Sequence, residues 1–275
     1  MTNPSKTKSH DASNGSYRLS EPSITPPNLP GTVHAVESVD RAIDILAADL
    51  VIHAENCVRQ FGDFHIALSG GSTPQPLYER LMYDPNYRRL PWRRTHLWIV
   101  DERCVPPDDP QSNWRMIKET IVDHADIPAE QVHPMPALAP DGDVQYEKSL
   151  RDVLGWREKG QDRLDFVLLG MGGDAHTASL FPGTPALNET NRLVVFNVSP
   201  VAAPHKRITM TFPLLNAARF IAVLVAGKSK ASAIHQIAQG NVAPEHAPIT
   251  GIKPFNGELH WYLDADACSQ PATNS

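Results

Sequence analysis

The stretch Phe166-Val167-Leu168-Leu169-Gly170-Met171-Gly172-Gly173-Asp174-Ala175-His176 decides the fold class. Four apolar residues without polar alternation describe a strand buried on both faces, and such strands belong to parallel sheets covered by helices. Glycines then stop the strand and free its backbone for a turn. The same rhythm recurs along the chain. Phe64–Leu68 stops at Ser69-Gly70-Gly71-Ser72-Thr73-Pro74, His96–Val100 stops at Asp101, and Phe220–Val225 stops at Ala226-Gly227. Helical patterns fill the intervals. Ser38 heads one in which Val39, Ala42, Ile43, Leu46, Leu50, Ala54, Cys57 and Val58 share a face; Leu77, Leu81 and Met82 mark a second, and Ser229 to Gln239 a third. The pattern predicts an α/β protein, a doubly wound and mostly parallel sheet with helices on both faces. In such sheets ligands bind at the carboxyl ends of the strands, where every informative loop of this chain falls.

Composition narrows the function classes. With 41% hydrophobic and 20% charged residues over 275 positions, the chain is neither a membrane protein nor wholly disordered. Lys and Arg number 25 against 31 Asp and Glu, a net charge of −6 that argues against nucleic acid as a partner. No apolar run reaches the roughly 18 residues that would span a membrane. The three cysteines are far apart and unpaired in spacing, as in a reducing compartment, so a cytoplasmic protein is expected. Twelve histidines form no HxxxH or HExxH array, so neither a metal nor another cofactor is expected. Residues 1–31, rich in Pro, Ser and Asn, read as a disordered tail; 32–267 form a single domain, and 268–275 a short C-terminal tail.

Four segments carry chemistry. The paired glycines of Gly70-Gly71-Ser72-Thr73 let backbone N–H groups turn inward at a helix start, and two hydroxyls add donors, a pattern suited to phosphate. Asp101-Glu102-Arg103 puts three charges at a strand end; the planar fork of Arg103 suits an oxyanion, and Ser112, before Asn113, is positioned to cap the next helix. Asp174 and His176 stand two apart at an expected helix start, where an imidazole stays neutral and Asp174 steers the ring or caps the helix. Lys206, Arg207, Lys228 and Lys230 supply the positive charge that a sugar-phosphate dianion requires. A serine hydrolase triad is disfavoured, because no GxSxG elbow exists.

These segments together resemble the 6-phosphogluconolactonase family over about residues 33–266. The resemblance rests on LSGGSTP at 68–74, DERCVPPDDPQSN at 101–113, LLGMGGDAHTASLFPG at 168–183, KRITMTFPLLN at 206–216 and GELHWYLDADA at 257–267. It implies a Rossmann-like fold, shared with glucosamine-6-phosphate deaminase and ribose-5-phosphate isomerase. It also implies metal-free hydrolysis of 6-phosphoglucono-1,5-lactone, a small-molecule sugar-phosphate substrate; a monomer or weak homo-oligomer is expected. His176 would activate water, Asp174 would orient or tune that imidazole, and Arg103 would neutralise developing charge. Gly70, Gly71, Ser72, Thr73, Arg207 and Lys230 would hold the 6-phosphate, with Asp101, Ser112 and Asn113 as further substrate contacts. One departure stands out: Ala175 replaces the family's usual glycine, and would be strained by about 1 kcal/mol or more if that position needs positive φ. The deaminase run Gly-His-Ile-Ala-Phe-Asn-Glu-Pro is absent, which counts against isomerase or deaminase chemistry. A non-catalytic sugar-phosphate sensor would have no need of the Asp174–His176 pair.

Overall fold

The structure is a computed structural model that describes residues 24–201 and 203–270. In chain order the elements are β1 (Thr32–Val36), α1 (Val39–Phe61), β2 (Phe64–Leu68), α2 (Gln75–Tyr83), β3 (Thr95–Ile99), β4 (Asp101–Arg103), α3 (Asn113–Ile117), β5 (Val132–His133), α4 (Gly142–Leu154) and β6 (Phe166–Gly170). Then follow β7 (Val194–Val198), β8 (Lys206–Met210), α5 (Phe212–Leu215), β9 (Phe220–Val225), α6 (Ala231–Ala238) and β10 (Glu258–Asp264).

Seven strands form one parallel sheet in the order β1-β10-β9-β6-β2-β3-β5. Every residue of β2 and β9 is buried, which follows from their unbroken apolar sequences and from cover on both faces. The order reverses between β2 and β6: later strands run outward from β2 through β3 to β5, and from β6 through β9 to β10. Chain reversals of this kind open a crevice at the strands' carboxyl ends, and here it receives both the Ser69–Pro74 loop and the Met171–His176 loop. A second, antiparallel sheet of order β4-β8-β7 sits beside this crevice. Val100 joins the two sheets, its N–H bonded to Leu68 O at 3.0 Å and its carbonyl to Met210 N at 2.9 Å.

Local chemistry explains the element ends. Ser38 accepts from Arg41 N at 3.2 Å and starts α1; Gly62 ends it at φ 91°, a left-handed conformation that glycine adopts without strain. Two expectations are corrected. The first concerns the tails. Residues 1–23 and 271–275 lie outside the described residues, but 24–31 do not behave as a tail. Leu29 is buried in the core, and Trp261 Nε1 donates to Pro30 O at 2.8 Å. At the other end Cys268 packs half-buried against the core and its N–H bonds to Asp264 O at 3.2 Å. The second concerns the helix expected at Asp174–His176. No helix begins there. Ala175 at φ 60° and Ala178 at φ 50° are both left-handed, which a right-handed helix excludes, and Thr177 pairs with Leu180 in a single antiparallel bridge.

Candidate active site

A cavity of about 340 Å³ opens at the switch point between β2 and β6. Gly70, Gly71, Ser72, Thr73, Asp101, Arg103, Asn113, His176, Arg207 and Lys230, all singled out in the sequence, line it. Ser112, expected as a substrate contact, and Asp174, expected to orient His176, do not. Ser112 is buried beneath α3, where its Oγ accepts from Arg115 N at 3.1 Å and so caps the helix. Asp174 stands behind His176 rather than on the cavity wall.

The acid–imidazole pair is built within one turn. Asp174 Oδ1 accepts from His176 N at 3.2 Å and lies 2.5 Å from His176 Nδ1. A carboxylate can only accept, so the proton on that axis belongs to Nδ1, and a neutral ring keeps its lone pair on Nε2. Burial alone would raise the Asp174 pKa, but the hydrogen bond and charge of His176 outweigh it and hold the carboxyl below its ordinary range. Phe181 packs on the imidazole at 4.7 Å between ring centroids and limits its rotation. Gly172 permits this geometry: a Cβ there would lie 2.1 Å from His176 Nδ1 and 2.5 Å from Asp174 Oδ1.

The cationic wall comes from the small sheet. Its register sets Arg103 directly opposite Arg207. Arg207 is buried, and that burial, then the charge of Arg103, lowers its pKa. Arg103 donates to Gln111 O at 2.6 Å, but its Nε and the Nε of Arg207 are buried without partners. Asn113 donates through Nδ2 to Asp101 O at 2.7 Å, and its Oδ1 is also left unpaired. Buried polar groups without partners cost roughly 1–3 kcal/mol each, so three of them around one cavity mark a place for a polar ligand. Gly70 packs directly on this asparagine, since a Cβ there would fall 1.9 Å from Asn113 Oδ1. No side chain caps α2: Leu77 N and Tyr78 N donate to Pro74 O at 3.0 and 3.2 Å and Pro76 has no N–H, while before the helix Gly71 turns at φ 99°.

Sequence reasoning missed the residues that hold the wall in place. Glu102 accepts from Arg103 N (2.7 Å), Asn113 N (2.8 Å), Trp114 N (2.7 Å) and Ser112 Oγ (3.0 Å), and thereby anchors α3 to β4. Burial nonetheless raises its pKa despite these donors. Ser179 donates to Asp101 Oδ2 at 2.6 Å and accepts at its carbonyl from Asn197 Nδ2 at 2.8 Å, tying the cavity's floor to β7. Three adjacent charges at 101–103 were a signal for Glu102; nothing local pointed to Ser179. Among the described residues, trios of His, Asp or Glu close enough to share a metal ion lie outside this cavity.

Residues 37–261 match the sequence profile of the family described as glucosamine-6-phosphate isomerases/6-phosphogluconolactonase. The chain is 40% identical over 233 residues to the human GDH/6PGL endoplasmic bifunctional protein, covering 83% of this chain but only 29% of that protein's length. It is also 40% identical over 232 residues to a 6-phosphogluconolactonase of Nostoc sp., covering 83% of this chain and 92% of the relative. Among solved structures, 6-phosphogluconolactonase from Trypanosoma cruzi superposes with a TM-score of 0.76 at 26% identity, covering 88% of this chain and 97% of that one. With its profile match extending from α1 into β10, the chain belongs to the glucosamine-6-phosphate isomerase/6-phosphogluconolactonase family.

Proposed function

We propose that the chain hydrolyses 6-phosphoglucono-1,5-lactone to 6-phosphogluconate. The observation that carries this reading is the Asp174–His176 pair at 2.5 Å, with His176 on a cavity that Arg103 and Arg207 also line. His176 Nε2 takes a proton from water as it attacks the lactone carbonyl. Asp174 keeps the ring in the required tautomer and stabilises the imidazolium that forms. When the tetrahedral intermediate collapses, the ring oxygen leaves and recovers the proton from His176. Lys230, the Gly70–Thr73 turn and Arg207 hold the 6-phosphate. Cross-strand pairing favours Arg103 joining Arg207 on that dianion, since an anion between them would relieve their mutual repulsion. This differs from the oxyanion role that the resemblance implies for Arg103.

The protein acts in the cytoplasm on this small molecule, as a monomer or weak homo-oligomer, without a nucleic-acid or membrane partner. The acidic balance of charge and the unpaired cysteines support that setting, and no helix among the described residues is long and apolar enough to cross a membrane. The test is turnover of enzymatically generated lactone, read on the acid side of neutrality with spontaneous hydrolysis subtracted. Catalysis there, with none on glucosamine-6-phosphate, is the expected result; the reverse would assign the chain to the isomerase branch.

A further inference from the structure

Away from the cavity, the fold gathers three further side chains that no sequence motif joins. His34 lies on the edge strand β1, His260 on its neighbour β10, and Asp49 on α1. One nitrogen of each imidazole and one carboxylate oxygen all lie within 4.8 Å of one another. His34 Nε2 faces His260 Nδ1 at 3.2 Å. Two nitrogens bound to one tetrahedral zinc at about 2.0–2.1 Å stand roughly 3.3–3.4 Å apart, so this separation already suits a shared ion.

The surroundings point the same way. His260 Nε2 lies 3.1 Å from Glu258 Oε2; because the carboxylate can only accept, Nε2 carries the proton and Nδ1 keeps its lone pair toward His34. A carboxylate on the far nitrogen of an imidazole is the arrangement that orients metal-ligating histidines and strengthens them as donors. Tyr262 OH donates to Asp49 Oδ2 at 2.7 Å, and its ring stacks on His34 at 4.9 Å. All three candidate ligands are partly exposed, so an ion could reach them.

The other such trio, Asp63, His65 and His96, lacks these properties. Its carboxylate is already taken by Arg157, whose positive charge would repel a cation, and His65 Nδ1 accepts from Trp98 Nε1 at 3.2 Å.

We propose that His34, Asp49 and His260 bind one divalent transition-metal ion of the zinc class, with water completing the shell. Two imidazole donors suit zinc or cobalt rather than magnesium or calcium, and a carboxylate is an accepted third ligand for zinc. The ion would fasten the edge strand β1 to β10 and α1, and its role is structural, separate from the lactone site.

Titrating the metal-free, full-length protein with Co²⁺ alone tests the proposal, since four-coordinate cobalt gives visible absorption. One ion per chain is expected, with zinc displacing it and raising Tm. His34→Gln and Asp49→Asn, each checked for native circular dichroism, should weaken binding at least tenfold and remove the zinc-dependent rise in Tm. As a readout that needs no variant, the ¹⁵N signals of His34 Nε2 and His260 Nδ1 should shift when zinc is added. Absence of binding, binding unaltered in both variants, or zinc that leaves those two nitrogens unmoved would each overturn the proposal.

Discussion

The two ends of the parallel sheet both bury arginines and carboxylates, and they are wired differently, although Arg163 Nε is unpaired at the amino end too. At the amino ends of β2, β6 and β9, Asp165 is fully buried and saturated. It accepts from His65 N at 2.8 Å, from Arg157 at 2.8 and 2.7 Å, and from Arg219 Nε at 2.9 Å. Arg157 also holds Asp63, and both guanidiniums lie over the Phe61 ring. At the carboxyl ends, Arg103, Arg207 and Asn113 each keep a buried atom without a partner. A saturated network only supports the fold. An unsaturated one spends stability to keep two donors and one acceptor ready, which is favourable only where a ligand completes it.

The sharpest test of this contrast is His176→Ala, which should lower kcat by about 10²–10⁴-fold, the usual range for a lost general base. Affinity for 6-phosphogluconate should change little. Near-normal turnover in this variant would place the base elsewhere. At the other end, Asp165→Ala strands Arg157 and Arg219 and should cost about 3–5 kcal/mol in denaturant unfolding. Its kcat, measured well below its Tm, should stay normal; a loss of kcat in folded protein would break the division between the two ends.

Arg207→Ala should act through binding, raising KM and weakening product affinity by roughly 1.5–3 kcal/mol, the scale of a charge-assisted hydrogen bond. Arg103→Ala sharpens the comparison. A KM effect like that of Arg207→Ala supports a joint phosphate clamp, whereas a pure kcat loss restores the oxyanion role.

Acid should weaken the fold through its buried histidines. Burial lowers the pKa of His96 to about 4 and that of His133 to about 3, helped by the neighbouring imidazoles. The unfolded chain therefore binds protons that the folded chain refuses, and stability falls as pH drops from about 6.5 toward 4. Urea midpoints between pH 7 and 4 should show this slope, and a His96→Asn, His133→Asn double variant should flatten it. An unchanged slope would assign the loss to other groups.

The smallest effect concerns Ala175. Its left-handed backbone costs about 1–2 kcal/mol, and glycine would relieve that while giving up a buried methyl and adding entropy to the unfolded chain. Ala175→Gly should leave Tm unchanged or slightly raised. A fall worth more than about 1 kcal/mol would show that the methyl's packing outweighs the strain.

Much was legible because its causes are local. Apolar runs that stop at glycine define β2, β6 and β9, and hence the edge where ligands bind. Asp174 and His176 are two residues apart, so one turn suffices to join them. The helix expected at that turn failed because the left-handed states of Ala175 and Ala178 leave no trace in propensity. The tail boundary failed similarly: Pro-rich composition hides that Leu29 has a place in the core.

By itself, then, the sequence determined the α/β class, the parallel strands, the glycine turns and the Asp174–His176 pair, since burial on two faces and short-range spacing are written in consecutive residues. Tertiary structure alone decided that Arg103 stands opposite Arg207, that Ser179 holds Asp101, and that His34, Asp49 and His260 converge. Those partners sit on different strands and helices. Their meeting depends on strand order, antiparallel register and helix placement, which the packing of the whole core sets and no single stretch of chain encodes.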